Sequence, residues 1–190
     1  MYHLGVIPLR GFGHPARTTI DGHEERMAAD GETEREVPGW ARGDPLMEWY
    51  ATEVWGRRAR DDDSLFEVMS LQIFQAGLTW RMVLARRDAF RAAFQGWRVD
   101  AVAAMEPTDV ERLLRDASII RNRRKIEACI ANARVVQGIQ REHGTFRAWF
   151  YEALPGADLA ELQRWLRKTF AFMGPEIARM WLGASGRVEL

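Results

Sequence analysis

Two amides and several aromatic side chains within residues 40–80 could bind a flat, unsaturated ligand. Gln72 and Gln75 interrupt an apolar run, and a buried amide needs a hydrogen-bond partner. That partner could be a backbone carbonyl, or it could be the edge of adenine, which a carboxamide matches with one donor and one acceptor. Trp40 and Trp55 lie in stretches with poor helical periodicity. Such loop aromatics can enclose a flipped base, although most tryptophans belong to a core.

A basic segment could attract phosphate groups. Residues 112–134 contain seven Arg and Lys residues and two acids, and four of the basic residues lie at a predicted helix start: Arg121, Arg123, Arg124 and Lys125. Backbone N–H groups at a helix start also attract anions. The alternative is an ordinary solvated helix face.

A short apolar turn, residues 170–175, joins the last two predicted helices and contains Gly174. A glycine lets backbone amides approach a phosphate closely, which is how a helix-hairpin-helix motif holds DNA. The alternative is an ordinary helix connection that packs Phe170 and Phe172 into the core.

Several kinds of site are excluded. His143 is the only histidine beyond residue 37, so no pair of nucleophile and base is visible, and no glycine-rich phosphate loop occurs. Cys129 is the only cysteine, which excludes an internal disulfide and argues against a Cys/His zinc site. We therefore expect no metal and no cofactor, and we expect Cys129 to be a small core residue.

The elements that must position these residues are helices. From Asp63 onward apolar residues recur at helical spacing, and no stretch alternates as a half-buried strand does, so we predict an all-α fold. Acidic residues, prolines and capping pairs mark the helix starts, and glycines mark the ends. The predicted helices run from the Asp61–Asp63 cluster to Gly77, over Trp80–Phe94, from Pro107 with a capping box of Thr108 and Glu111, along the stripe Ile126–Val136 to Gly144, over Phe146–Leu154, over Leu159–Leu166, and from Pro175.

Charge divides the chain before Pro38. Residues 1–37 carry four arginines and seven acids and show no periodicity, so we predict a disordered acidic tail. Residues 38–190 are predicted to form one helical domain. No run approaches the roughly 18 apolar residues of a spanning helix, and no apolar signal region follows a basic start. We expect a cytoplasmic protein that does not contact a membrane.

Several short blocks are similar to one family in both sequence and spacing: Asp44-Pro45-Leu46, Trp55-Gly56, Asp62-Asp63-Ser64-Leu65-Phe66-Glu67, Gln75-Ala76-Gly77-Leu78-Thr79-Trp80 and Ile119-Ile120-Arg121-Asn122-Arg123. They closely resemble the 3-methyladenine DNA glycosylase I family, over residues 40–186 or so. The block ending at Trp80 and the block beginning at Ile119 are specific in combination.

The resemblance implies a helix-hairpin-helix DNA glycosylase fold and an enzyme that removes N3-methylated adenine from double-stranded alkylated DNA during base-excision repair. It implies that Tyr50 and Trp80 form the walls of a base pocket, completed by Trp40 and Trp55. Gly77 and Leu78 would enter the duplex where the base was extruded. The amides of Phe172, Met173 and Gly174 would hold the phosphate backbone, beside the basic cluster.

This sequence departs from the family in its pocket. Gln72 stands where the family has a base-contacting carboxylate, and Met47 replaces a family aromatic. With Tyr50 and Trp80, Gln72 is expected to act on the base as a catalytic residue. Because an amide cannot attract a cationic base as a carboxylate does, we expect weaker binding with surviving turnover.

A second departure concerns the zinc of typical family members. The positions that match its ligands hold Pro38 and Ala51, and the sequence ends at Leu190, before the C-terminal pair. We expect the zinc to be absent, and packing around Trp40, Trp49 and Trp181 to replace its structural role.

Three functions remain open. The first is a monofunctional DNA glycosylase that works as a monomer on nucleoid DNA. The second is a non-catalytic helix-hairpin-helix module that recognises alkylated or distorted DNA. The third is a helical interaction protein that no longer binds DNA, and Gly77, Leu78 and the basic cluster argue against it because packing requires none of them.

Overall fold

The computed structural model describes residues 36–190, and this part of the chain is helical, with no strand. Ten helices follow in order over these residues: α1 (Pro45–Glu53), α2 (Asp62–Gln75), α3 (Trp80–Leu84), α4 (Arg87–Ala93), α5 (Val99–Ala103), α6 (Pro107–Arg115), α7 (Arg123–His143), α8 (Phe146–Ala148), α9 (Leu159–Thr169) and α10 (Pro175–Ala184). A 3₁₀ turn covers Gln95–Trp97, and a π turn covers Trp149–Ala153. The all-α prediction is confirmed. The predicted tail lies, apart from its last two residues, outside the described residues.

The central elements of the domain are α2 and α7. Helix α2 packs against α3, α5, α7, α8 and α10, and α7 also packs against α5, α6 and α8. Asp61 caps α2 by accepting the N–H of Ser64 at 2.7 Å. The predicted stripe of α7 is fully buried, including Ile126, Cys129 and Val136. These two helices form where the sequence predicts them, because capping and periodicity agree.

The predicted helix Trp80–Phe94 is wrong, because the chain forms two helices there. Helix α3 ends at Leu84, and α4 begins at Arg87 after Arg86 takes a φ of −113°. The break lets Val83 and Phe90 both reach full burial in the core. Tertiary packing thus overrides the local helical preference.

The predicted capping box of Thr108 and Glu111 is also wrong. Glu106 is the cap of α6, and it pairs with Asp109, whose carboxylate accepts the Glu106 N–H at 3.0 Å. The reason is Pro107, which occupies the first helical position and so places the cap at Glu106, two residues before Thr108.

The early and late parts of the domain meet through backbone contacts, not through the predicted tryptophan cluster. Trp181 is fully buried, whereas Trp40 is 53% exposed and Trp49 is 37% exposed. The Gly56 N–H instead donates to the Ala184 carbonyl at 3.1 Å. Gly186 has a φ of +64°, and a Cβ there would lie 2.6 Å from the Gly56 oxygen. A glycine is therefore required at this junction.

We expect Gly186→Ala to lower the free energy of unfolding by about 2 kcal/mol, because it adds a backbone clash to an unfavourable φ. For a chain of this size that lowers Tm by roughly 4–8 °C. Thermal unfolding followed by circular dichroism measures the change. Gly39→Ala is the control, because a Cβ at Gly39 meets nothing within 4 Å. Equal Tm values for the two variants would contradict the close approach.

Candidate functional site

One cavity of about 310 Å³ gathers all six residues that were predicted to bind the base. Those six are Trp40, Met47, Tyr50, Trp55, Gln72 and Trp80. Its remaining lining residues are Gln75, Arg179, Met180 and Leu190. The volume falls within the range of small-molecule sites.

Three helices bring the main pocket residues together. Helix α1 carries Met47 and Tyr50, α2 carries Gln72, and Trp80 is the first residue of α3. Asp44 caps α1 by accepting the Leu46 N–H, and its carboxylate also pairs with Arg81 of α3. This ion pair joins two of the pocket helices.

The aromatic rings form one cluster around Tyr50. The Tyr50 ring centroid lies 5.0 Å from that of Trp80, 6.1 Å from that of Trp55 and 6.4 Å from that of Trp40. Trp40 and Trp55 also meet, at 6.2 Å. All four pairs are tilted or edge-to-face, which is a favourable arrangement for aromatic rings. These rings form the walls of the pocket, and their π faces can contact a ligand.

Three buried polar atoms of this pocket have no hydrogen-bond partner among the described residues. They are the Tyr50 hydroxyl, Gln72 Nε2 and Trp80 Nε1. Tyr50 is 3% exposed and Gln72 is 2% exposed, and leaving such groups unpaired costs about 1–3 kcal/mol each. Burial raises the pKa of Tyr50. The Gln72 and Trp80 side chains oppose that rise, because they lie close enough to interact weakly with the hydroxyl without forming a hydrogen bond of ordinary geometry. The phenol is therefore neutral, and a ligand with acceptor atoms would satisfy these groups.

The lining of the pocket carries no carboxylate. Its one charged lining residue is Arg179, which pairs with Glu176 through two hydrogen bonds of 2.8 and 3.1 Å. That pairing lowers the pKa of Glu176 and keeps it ionised at neutral pH. Recognition in this pocket therefore rests on rings and neutral hydrogen-bonding groups.

The loop between α2 and α3 holds Gly77 and Leu78 in a defined turn. Gly77 is exposed, with a φ of +78°. The Leu78 N–H donates to the Gln75 carbonyl at 2.7 Å, and Gln75 Nε2 donates back to the Leu78 carbonyl at 2.9 Å. Gln75, which was singled out with Gln72, thus orients this loop while it also lines the pocket.

The prediction that Lys125 contacts DNA from an exposed basic cluster is wrong. Lys125 is 5% exposed, and its ammonium donates to the carbonyls of Phe74 at 2.9 Å and Ala76 at 2.6 Å. Burial lowers the pKa of Lys125. Its position is explained by the end of α2, where free carbonyls attract a cation.

The three arginines of the basic cluster are exposed. Arg123 pairs with Glu111 at 2.7 Å and Glu127 at 3.7 Å. Arg121 forms no ion pair with any residue from 36 to 190. The Arg124 guanidinium lies 5.9 Å from the centre of the Phe172 ring. Arg124 thus lies beside the turn between α9 and α10.

The turn between α9 and α10 is held in place by a buried side chain of α7. Asn132 is fully buried, and its side chain exchanges two hydrogen bonds with the Ala171 backbone, at 2.7 and 3.1 Å. The N–H groups of Phe172, Met173 and Gly174 have no acceptor within the described part of the chain. The Met173 side chain is buried, so only its backbone can face a ligand.

Gly174 is not required by the backbone. Its φ is −71°, which any residue adopts, and a Cβ there would meet nothing within 4 Å. The absence of a side chain therefore leaves open space at Gly174 itself, next to the free amides in the chain.

The described residues do not fit the zinc that the family resemblance implies. Pro38 and Ala51 offer no ligand atom in their side chains, and no group of three or more His, Cys, Asp or Glu residues between positions 36 and 190 could hold a metal ion. No helix in that range is long and apolar enough to cross a membrane.

The sequence pattern did not predict α1, α5 or part of the pocket lining. The signal for α1 is Asp44-Pro45, a capping aspartate followed by proline at the first helical position. Arg179 and Met180 reach the pocket on α10, which packs beside α2, and Leu190 follows α10 and lies against its Gly183. No local pattern reveals that contact.

Comparison with known proteins places this geometry in one family. The methyladenine glycosylase family model matches residues 40–165. DNA-3-methyladenine glycosylase 1 of Escherichia coli K12 is 48% identical over 96 residues, which are 50% of this chain and 51% of that protein. This chain therefore spans about half the length of that curated relative.

Two solved structures extend the similarity. A crystal structure of 3-methyladenine DNA glycosylase I superposes with a TM-score of 0.73 at 32% identity, covering 81% of this chain and 94% of that chain. A solution structure of 3-methyladenine DNA glycosylase I, from a study of alkylated base recognition, gives a TM-score of 0.66 at 36% identity, covering 82% and 92%. Because the family model spans most of the described helices and a solved relative is covered almost completely, this chain belongs to the methyladenine glycosylase family.

Proposed function

We propose that this protein is a monofunctional base-excision DNA glycosylase. It flips N3-methylated adenine, or a related alkylated base, out of double-stranded DNA and hydrolyses its N-glycosidic bond. The observation that carries the proposal is the set of unpartnered polar atoms of Tyr50, Gln72 and Trp80 inside an aromatic pocket. A ligand bound in the pocket would complete the hydrogen bonds of all three groups.

The pocket suits a flipped methylated purine. An N3-methylated adenine in DNA is cationic, and each aromatic ring that it faces contributes about 0.5–2 kcal/mol by cation–π attraction. Tyr50 and Trp80 are the proposed walls, with Trp40, Trp55 and Met47 completing the pocket. Gln72 can donate and accept along the adenine edge at once.

The reaction needs little from a strong acid or base. The bond between C1′ of the sugar and N9 of the base breaks, and its electron pair leaves with the base, which becomes neutral. Water forms the new bond to C1′ and loses one proton. Because the positive charge already weakens the bond, the main work of the protein is to flip and orient the base.

Gln72 changes the balance between binding and turnover. A carboxylate would attract the cationic base, whereas the amide keeps only the hydrogen bonds. The charge leaves the base as the bond breaks, so the lost attraction affects mainly ground-state binding. We expect weaker affinity for the damaged base with turnover preserved.

The DNA backbone is proposed to lie across the turn between α9 and α10. The free amides of Phe172, Met173 and Gly174 would bind a phosphate, with Arg121 and Arg124 beside them and Arg123 nearby. Gly77 and Leu78 would fill the gap that the extruded base leaves. Each proposed contact comes from one chain, in keeping with a monomer that acts on nucleoid DNA in the cytoplasm.

We expect Gly174→Ala to fold normally and to bind double-stranded DNA about tenfold more weakly, because its methyl group would occupy the open space next to the phosphate-binding amides. Fluorescence anisotropy with a labelled duplex measures the affinity. Gly138→Ala on α7 is the control, since its Cβ meets only Arg141, at 3.8 Å. Unchanged affinity in Gly174→Ala would argue against this phosphate site.

Release of free base from methylated genomic DNA, separated by chromatography, tests the proposed activity. Release of 3-methyladenine supports a glycosylase. If duplex binding persists while no modified base is released, the protein is a recognition module, and the enzymatic proposal fails.

A further inference from the structure

A second and larger cavity, of about 590 Å³, shares Tyr50 and Trp80 with the base pocket. The rest of its wall is different and strongly basic. The charged residues that line it are Arg57, Arg58, Arg60, Arg87, Arg91, Glu53 and Glu67. Five arginines against two glutamates leave an excess of positive charge, so this cavity favours an anion.

A buried carboxylate anchors two of these arginines. Glu67 is 4% exposed and accepts hydrogen bonds from Arg91 Nε at 2.9 Å and from an Arg91 terminal nitrogen at 2.7 Å. Arg87 uses only its Nε toward Glu67, at 2.9 Å. Both terminal nitrogens of Arg87 therefore lack a hydrogen-bond partner in the described part of the chain. Glu67 holds a cation at the cavity wall while leaving its donors available.

An aromatic surface lies directly beside that cation. The Arg87 guanidinium lies 5.2 Å from the centre of the Trp49 ring, and Trp49 itself lines the cavity. Trp49 is half-exposed on α1, outside the core cluster. An indole at a cavity wall can stack on a nucleobase or another flat group.

The segment between α1 and α2 adds further free donors. Arg58 and Arg60 form no hydrogen bond or ion pair with any residue of the described range, although Arg58 lies 4.6 Å from the centre of the Tyr151 ring. Arg57 donates two hydrogen bonds to the Thr52 carbonyl. Arginines with unused planar donors are the side chains best suited to bind phosphate oxygens.

We propose that this cavity is a second ligand site, for a phosphate-bearing ligand of nucleotide size. Arg58, Arg60 and Arg87 bind the phosphate, and Trp49 contacts the attached flat group. The volume lies within the usual range for small-molecule sites. Base excision in the neighbouring pocket requires none of these four residues, so the site goes beyond the proposed function.

Isothermal titration calorimetry tests the site with three probes: thymidine monophosphate, inorganic pyrophosphate and a single-stranded thymidine decamer. The test variant is the double substitution Arg58→Gln and Arg60→Gln. It leaves the hydrogen bonds of Glu67 with Arg87 and Arg91 unchanged. The control is Arg115→Gln, an exposed arginine of α6 that lies outside this cavity. We expect the double variant to weaken binding about tenfold or more, while the control binds like the wild type.

The probes identify the source of the phosphate. If thymidine monophosphate and pyrophosphate bind and the double variant weakens them selectively, the ligand is a free nucleotide. If only the decamer shows the selective loss, the phosphate belongs to a DNA strand. The proposal is overturned if no probe binds the wild type, or if Arg115→Gln weakens binding as much as the double variant does.

Discussion

Replacing Trp80 by alanine is expected to lower the rate of base release from methylated DNA by about ten- to a hundredfold, because one stacking aromatic contributes about 1–3 kcal/mol to the binding of a base. Trp80 is the ring closest to Tyr50, at 5.0 Å, and its Nε1 is one of the three unpartnered polar atoms of the pocket. Its loss removes both a wall and a donor. Single-turnover release of free base, quantified by chromatography, measures the effect.

Two further variants separate the role of Trp80 in base binding from a general loss of structure. Trp80→Phe keeps a ring but removes the N–H, so its release rate should fall between those of the wild type and Trp80→Ala. Trp165→Ala removes a half-exposed indole of α9 that does not line the pocket, and it should release base like the wild type. Equal losses in Trp80→Ala and Trp165→Ala would contradict the pocket assignment.

Replacing Gln72 by glutamate is expected to raise the affinity for a cationic base at least about tenfold. The added charge–charge attraction is bounded by about 4 kcal/mol for two charges 4 Å apart at an effective dielectric of 20. The pocket lining has no other carboxylate to attract a cation. Titration of the protein tryptophan fluorescence with 3,9-dimethyladeninium measures the change. The methyl group at N9 of this ligand takes the place of the sugar, so the ligand keeps its positive charge.

The sign of the pH dependence follows from burial. A carboxyl at position 72 would be buried, so its pKa would rise, and only its ionised form attracts the cation. The gain in affinity should therefore be full at high pH and should fade as the pH drops through that raised pKa. Neutral adenine should show no such gain, and Gln72→Met should bind the cation no better than the wild type. A Gln72→Glu variant with unchanged affinity for the cation would contradict the expectation that a carboxylate at position 72 attracts the cationic base.

The sequence alone was sufficient to predict several local elements of this domain. Asp61 before α2, the stripe of α7, Gly144 at its end and Pro175 at the start of α10 act within one or two turns of chain, and each prediction is confirmed. Resemblance to the family also identified the six pocket residues in advance. These residues lie in or near short sequence motifs, which can be recognised without knowledge of the fold.

Long-range contacts could not be predicted in the same way. Lys125 has the sequence context of an exposed phosphate ligand, yet it donates to the end of α2, about fifty positions earlier in the chain. The helix predicted from Trp80 to Phe94 breaks because Val83 and Phe90 both pack into the core. In each case a partner that is remote in sequence determines the direction of the side chain or the backbone.

The sequence by itself determined the helical class, the positions of α2 and α7, the starts of α6, α9 and α10, and the identity of the aromatic and amide residues that could hold a base. Only the tertiary structure decided that Arg179, Met180 and Leu190 complete that pocket, and that five arginines help to line a second cavity, which shares Tyr50 and Trp80 with it. The physical reason is that capping and periodicity act between neighbours in the chain. Pocket walls and charge clusters arise from packing between helices that the chain order keeps far apart.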